Sequence, residues 1–125
     1  MSDAAGTTTR EVQPPEPDLT PTEIVRRAAA LKPLVREHQD ESERRGCYSE
    51  QLHEEFLKAG FYRMVQPRRF GGYEFDLPTF ARVIMEISRG CPSSGWCLCL
   101  ASAHAMQLSS LFSEETTQSA LFNSL

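Results

Sequence analysis

The sequence predicts an all-α fold of about five helices, and three observations carry that prediction. Helix-start signals recur at Thr20-Pro21-Thr22-Glu23, Ser49-Glu50, Asp76 and Ser113-Glu114-Glu115. Between them, apolar residues return every three or four positions, the period of a helix with one buried stripe. No segment sustains the apolar–polar alternation of a half-buried strand, and no internal repeat is present.

The 125 residues suit one domain. Residues 1–19 read as a disordered leader: Pro14, Pro15 and Pro17 crowd together, and few side chains there can anchor the segment. The helical domain is expected over 20–125. Thr20 caps its first helix, Pro21 suits the first position, and Glu23 completes a capping box. Ile24, Ala28, Leu31 and Val35 form the apolar stripe. Pro33 has no amide hydrogen, so a kink or break is expected there. Arg36 to Arg45 is mostly charged, with Asp40–Arg44 and Glu41–Arg45 spaced as i,i+4 pairs on a solvated face. Gly46 ends the helix.

Ser49 caps a second helix, with Leu52, Phe56 and Leu57 inward and Gly60 closing it. Phe61 to Val65 is a short apolar link. Pro67-Arg68-Arg69-Phe70-Gly71-Gly72 is turn-rich. Arginines beside glycines can cradle a phosphate, but P-loop spacing is absent and a structural turn is expected. Asp76 caps a third helix with Leu77, Phe80, Ala81, Ile84 and Ile87 on one stripe. Gly90-Cys91-Pro92 breaks it. Ser93 or Ser94 caps a fourth, from about Gly95 to Leu108, apolar nearly all round and therefore expected to be buried on every side. Ser113 starts a fifth that still runs at Leu125. A chain stopping inside a helix, and a fourth helix needing more partners than its neighbours supply, suggest an N-terminal piece of something larger or an obligate assembler.

Charge narrows the function. Lys and Arg total 13 against 17 Asp and Glu, a net charge of −4, which disfavours nucleic acid. Gly90 to Ser113 carries no charged residue, which raises a transmembrane question. Pro92, His104, Gln107 and six serines in that stretch argue against a membrane span and for a buried helix. Met1 to Asp18 has no signal-peptide core, so a cytoplasmic setting with reduced thiols is expected for Cys47, Cys91, Cys97 and Cys99. Cys97 and Cys99 would point about 200° apart on a helix, so no metal site is expected with His104.

Three segments together resemble the N-terminal helical domain of the acyl-CoA dehydrogenase fold. Leu52-His53-Glu54-Glu55-Phe56-Leu57-Lys58-Ala59-Gly60-Phe61 is similar to the family's helix ending in an Ala-Gly-aromatic or Ala-Gly-Leu turn. Pro67-Arg68-Arg69-Phe70-Gly71-Gly72 resembles its Pro-x-x-Tyr-Gly-Gly loop, with Phe70 for Tyr. Glu86-Ile87-Ser88-Arg89-Gly90-Cys91-Pro92-Ser93-Ser94-Gly95-Trp96, with His104 eight residues later, resembles the flavin-dependent monooxygenase branch, which includes two-component aromatic hydroxylases. The resemblance covers about residues 22–125. It implies a subunit in which a middle β-domain and a C-terminal four-helix bundle follow this domain. It also implies a reduced flavin, FMN or FAD, held mostly by those other domains, a reductase partner, a small-molecule substrate and a homo-oligomer, a tetramer in the family. The dehydrogenase branch's catalytic Glu lies in the C-terminal bundle, so no catalytic residue is assigned here and this chain alone is expected to be inactive.

The resemblance directs attention to Trp96 as a cofactor-binding residue and His104 as a substrate-binding residue. On a helix they lie about 12 Å apart along the axis and about 80° apart around it, so one elongated ligand can touch both. Trp offers a flat apolar wall for a flavin or aromatic ring. His can hydrogen-bond a phenol oxygen and favour its phenolate, activating the ring toward an electrophilic oxygen. A packed Trp and a satisfied core His remain the structural alternative. Two other functions stay open: an acyl-CoA dehydrogenase-type FAD oxidoreductase acting on CH–CH bonds, and a non-enzymatic helical interaction module.

Overall fold

The computed structural model describes residues 12–123. Among the described residues six helices follow one another: α1 (Pro21–Glu37), α2 (Gln39–Arg45), α3 (Glu50–Ala59), α4 (Leu77–Gly90), α5 (Pro92–Leu111) and α6 (Glu114–Asn123). Short 3-10 turns at Phe61–Arg63 and Arg68–Phe70 link α3 to α4. No strand occurs among the described residues.

The start and stop signals act as expected. Thr20 Oγ1 accepts from the Glu23 amide at 3.2 Å, Ser49 Oγ from the Leu52 amide at 3.2 Å, and Asp76 Oδ1 from the Thr79 amide at 2.9 Å. Each satisfies an amide that the first helical turn leaves without a partner. Gly46 and Gly60 end their helices at φ 75° and 86°, where only glycine is unstrained. Glu23 departs from the capping-box expectation. Its carboxylate pairs with Arg26 at 2.7 Å and Arg27 at 3.3 Å, because two guanidinium groups outcompete one amide.

The main core is one large cluster, with a smaller one of Phe70, Ala105 and Leu121 beside it. Ile24, Ala28 and Val35 of α1 meet Leu52 and Phe56 of α3, Phe61 and Met64 of the link, Val83 and Ile87 of α4, and Leu98 of α5. α1 lies closest along α4. A Cβ on Gly90 would sit 2.8 Å from the Lys32 carbonyl oxygen, so glycine there sets the approach.

Several sequence expectations shift. Pro33 does not break α1, which continues to Glu37 before His38 ends it at φ −88°, ψ 5°. Pro33 is exposed, so water can satisfy the carbonyl that lost its amide partner. One expected helix is therefore two, α1 and α2, divided at His38. The α4 stripe is rotated: Thr79, Val83, Ile87 and Gly90 are buried, whereas Leu77 and Ala81 are exposed. Leu57 of α3 also faces solvent, and Ala59 takes the inward place. α5 begins at Pro92 rather than Gly95, because proline at the first position needs no amide partner. Neither serine caps it; Cys91 is the cap residue and makes no side-chain bond.

Of the expected leader, residues 1–11 lie outside the described residues, and within 12–19 Glu16 and Leu19 make contacts. Glu16 takes both ends of the Arg27 guanidinium, at 2.6 and 2.8 Å, and its amide donates to the Tyr73 hydroxyl at 3.2 Å. Leu19 packs against the core. These partners are distant in sequence, so composition alone could not show them.

Candidate functional site

The site forms where α5 crosses the end of α3 and the loop that follows it. Gly95 presses on α4 so closely that a Cβ would lie 2.0 Å from Ser88 Oγ. That packing turns Ser94, Gly95, Leu98, Ser102 and Ala105 inward. Ser102 Oγ donates to the Phe61 carbonyl at 3.1 Å and ties α5 to the link.

The opposite side of α5 is open. Trp96 is 64% exposed, Leu111 78% and Phe112 54%, with Leu100 and Met106 also exposed. The expected all-round burial of this helix is thus not found within the chain. Its neighbours α2, α4, α6 and the link leave one side open among the described residues, and an apolar composition cannot bury a face by itself. His104 is exposed too, so water can satisfy its ring and burial does not require a protein partner.

His104 edges a pocket of about 270 Å³. Ala101, Ala105, Leu108 and Leu121 form its apolar wall, and Tyr48, His53, Tyr62 and Gln66 its polar wall. Tyr62 stands in the 3-10 turn released by Gly60 and is buried. Its hydroxyl bonds the Tyr48 hydroxyl at 2.7 Å and His53 Nδ1 at 2.8 Å. Burial pushes the Tyr62 phenol far above its ordinary value of 10.0, and burial also raises Tyr48. Both therefore remain neutral, hydrogen-bonding phenols at physiological pH.

The loop after Tyr62 closes the pocket. Gln66 Nε2 donates to the Phe70 carbonyl at 2.6 Å, and the Phe70 ring packs with Ala105, Leu121 and Leu108. Gly71 holds φ 81°, and a Cβ on Gly72 would meet the Gln66 carbonyl oxygen at 2.0 Å. The profile of the acyl-CoA dehydrogenase N-terminal domain matches residues 21–123. The chain belongs to that family.

Three curated relatives of this acyl-CoA dehydrogenase-type domain illustrate its neighbourhood. The oxygenase subunit of a flavin-dependent monooxygenase of Rhodococcus jostii is 30% identical over 94 residues, 75% of this chain and 24% of the relative. The oxygenase component of p-hydroxyphenylacetate 3-hydroxylase of Acinetobacter baumannii is 23% identical over 79% of this chain and 23% of its own. The oxygenase component of an FADH2-dependent resorcinol hydroxylase of a Rhizobium species is 38% identical over 56 residues, 45% of this chain and 13% of the relative. The chain thus spans at most about a quarter of these relatives. No solved structure gives a significant match.

Within the domain, His104 belongs to the pocket and Trp96 does not line it; Trp96 stands on the open face of the same helix. The Pro67–Gly72 loop is a structural turn. Its Phe70 and Gly72 amides donate to the Pro67 carbonyl at 3.0 and 3.1 Å, and the Gly71 amide to the Arg68 carbonyl at 2.9 Å, so they are not free for a phosphate. Arg69 lies over the Phe70 ring at 4.8 Å. Cys91 is buried and Cys97 and Cys99 partly so, and no cluster of three or more metal-ligating side chains occurs among the described residues. No described helix is long and apolar enough to cross a membrane. Sequence reasoning missed Tyr48, His53, Tyr62 and Gln66. Their spacing obeys no motif, and only the fold brings them beside α5.

Proposed function

We propose that this chain is the N-terminal helical domain, residues 20–125, of a flavin-dependent monooxygenase that hydroxylates a small aromatic molecule. It takes reduced flavin, FMN or FAD, from a separate reductase. The carrying observation is His104 at the edge of a mainly apolar pocket with phenol and imidazole groups also in its lining, on the helix whose open face bears Trp96. That lining suits a hydroxylated ring better than a long acyl chain, which favours this reading over a CH–CH dehydrogenase. The names of the relatives, all hydroxylase or monooxygenase components, point the same way.

The residues present fit one part of a flavin. Trp96 offers an exposed indole against which the ring system can lie. The glycine-loop amides are already used, so the phosphate end belongs to domains beyond this chain. When bound, the reduced flavin supplies the electrons that activate dioxygen. The chain's own work is to hold the substrate. The His104 ring accepts the phenolic proton or shares it, which raises electron density on the aromatic ring. Ala105 and Leu108 give the ring an apolar contact. The open α5 face is where the remaining domains, and further copies in a homo-oligomer, would cover it. The cytoplasm, with its reductases, is the matching compartment.

The test is His104→Asn in the oxygenase subunit carrying this domain, supplied with reductase, flavin and oxygen. Loss of one charge-assisted hydrogen bond, about 1.5–3 kcal/mol, lowers hydroxylation roughly 10- to 150-fold. Oxygen is still consumed, but it is released as hydrogen peroxide. Unchanged coupling of oxygen use to hydroxylated product would remove His104 from the substrate site.

A further inference from the structure

Three buried side-chain atoms lack a hydrogen-bond partner among the described residues: Ser42 Oγ, Gln66 Oε1 and Ser94 Oγ. Leaving a buried polar atom unpaired is unfavourable, so such atoms in a native fold call for an explanation. The two serines line a separate pocket of about 240 Å³ beside Glu43, Cys47, Tyr48 and Cys97, which has room for water to satisfy them. Gln66 is different, because it lines the His104 pocket.

The orientation of the Gln66 amide follows from chemistry. Nε2 donates to the Phe70 carbonyl at 2.6 Å. A flipped amide would set oxygen against oxygen. The unpaired end is therefore an acceptor, and only a donor can satisfy it. Gln66 is 1% exposed, so the donor must enter the pocket. No described side chain supplies one: Oε1 has no partner, the Tyr62 hydroxyl already serves Tyr48 and His53, and Ala105, Leu108 and Leu121 of the lining carry no donor.

We propose that Gln66 is a specificity-determining residue whose Oε1 accepts a hydrogen bond from a second hydroxyl on an aromatic substrate whose first hydroxyl is held at His104. This inference rests on the hydroxylase reading. The ligand class it selects is an aromatic ring with a hydrogen-bond donor at each of two positions, a dihydroxybenzene being the smallest. A ring with one hydroxyl meets His104 and leaves Gln66 unpaired. Sites built to hydrogen-bond a substrate hydroxyl discriminate against analogues lacking it, because the buried partner is then left unsatisfied.

Resorcinol and phenol are the probes, titrated into the 125-residue chain carrying nitrogen-15. The His104 ring and the Gln66 side-chain amide are followed by NMR. Both ligands shift the His104 ring, resorcinol alone shifts the Gln66 amide, and resorcinol binds about tenfold tighter, the worth of one neutral hydrogen bond. In Gln66→Met, with its fold checked by circular dichroism, that ratio falls to about one. The wild-type amide shift decides the matter if Gln66→Met does not fold. Equal affinities with a shifted His104, as an ordered water on Oε1 would give, would overturn the Gln66 role and leave the hydroxylase reading standing. An unshifted His104 ring with either ligand would overturn the substrate site itself, and the two-point arrangement with it.

Discussion

Gly72 and Gly46 show how differently two glycines constrain one chain. A Cβ at Gly72 would lie 2.0 Å from the Gln66 backbone oxygen, which cannot move without opening the loop. Gly72→Ala is expected to destabilise the fold by about 3 kcal/mol, the upper end of overpacking costs. At Gly46 the space is open and only φ 75° opposes a side chain, so Gly46→Ala should cost about 1–2 kcal/mol. Urea denaturation measures both, and an equal cost would contradict the steric account. Tyr62 carries a pH dependence of opposite sign to the usual carboxylate case. Burial raises its folded value above 10.0, so the folded state holds its proton longer than the unfolded chain. Its contribution is fully present below pH 10 and is lost as pH rises beyond it. Tyr62→Phe should flatten that alkaline limb in stability measured between pH 8 and 11.

At the scale of the helix, a single cap joins three elements. Ser49 Oγ accepts from the Leu52 amide at the start of α3 and lies 3.1 Å from His38 Nδ1, the residue that divides α1 from α2. Ser49→Ala should cost about 1–2 kcal/mol, near the top of the capping range because the site is buried. Ser49→Asp should recover part of it through the helix dipole. Thermal unfolding reads both changes, and a neutral Ser49→Ala would show that water replaces the hydroxyl. α5 is the element with two roles. Its inner side is specified by small residues, Ser94, Gly95, Ser102 and Ala105, which admit close neighbours. Its outer side carries large apolar groups that none of the described residues covers.

For the whole molecule, that outer side governs solution behaviour. Trp96, Leu100, Leu111 and Phe112 expose apolar area along one helix and its end, the kind of patch that associates in water. The 125-residue chain is expected to self-associate with rising concentration, and its Trp96 emission should shift to shorter wavelength as it does. Leu100→Lys with Leu111→Lys should suppress association without disturbing the core. A monodisperse 14.1 kDa species at high concentration, measured by light scattering, would contradict this.

The helical class, the caps at Thr20, Ser49 and Asp76, and the breaks at Gly46, Gly60 and Gly90–Pro92 were legible in the sequence, because each depends on hydrogen bonds closed within four residues. His104 and Trp96 were singled out by the family resemblance of the segment that carries them. The Glu16–Arg27 clasp, the rotated α4 stripe, the open face of α5 and the polar wall of Tyr48, His53, Tyr62 and Gln66 were not. These depend on which side chains meet across elements, and composition and periodicity carry no record of that. By itself the sequence determined the helical class, most of the caps and breaks, and which residues are apolar. Only the tertiary structure decided which apolar face is covered and which buried polar atom is left without a partner, since burial is a property of neighbours rather than of residues.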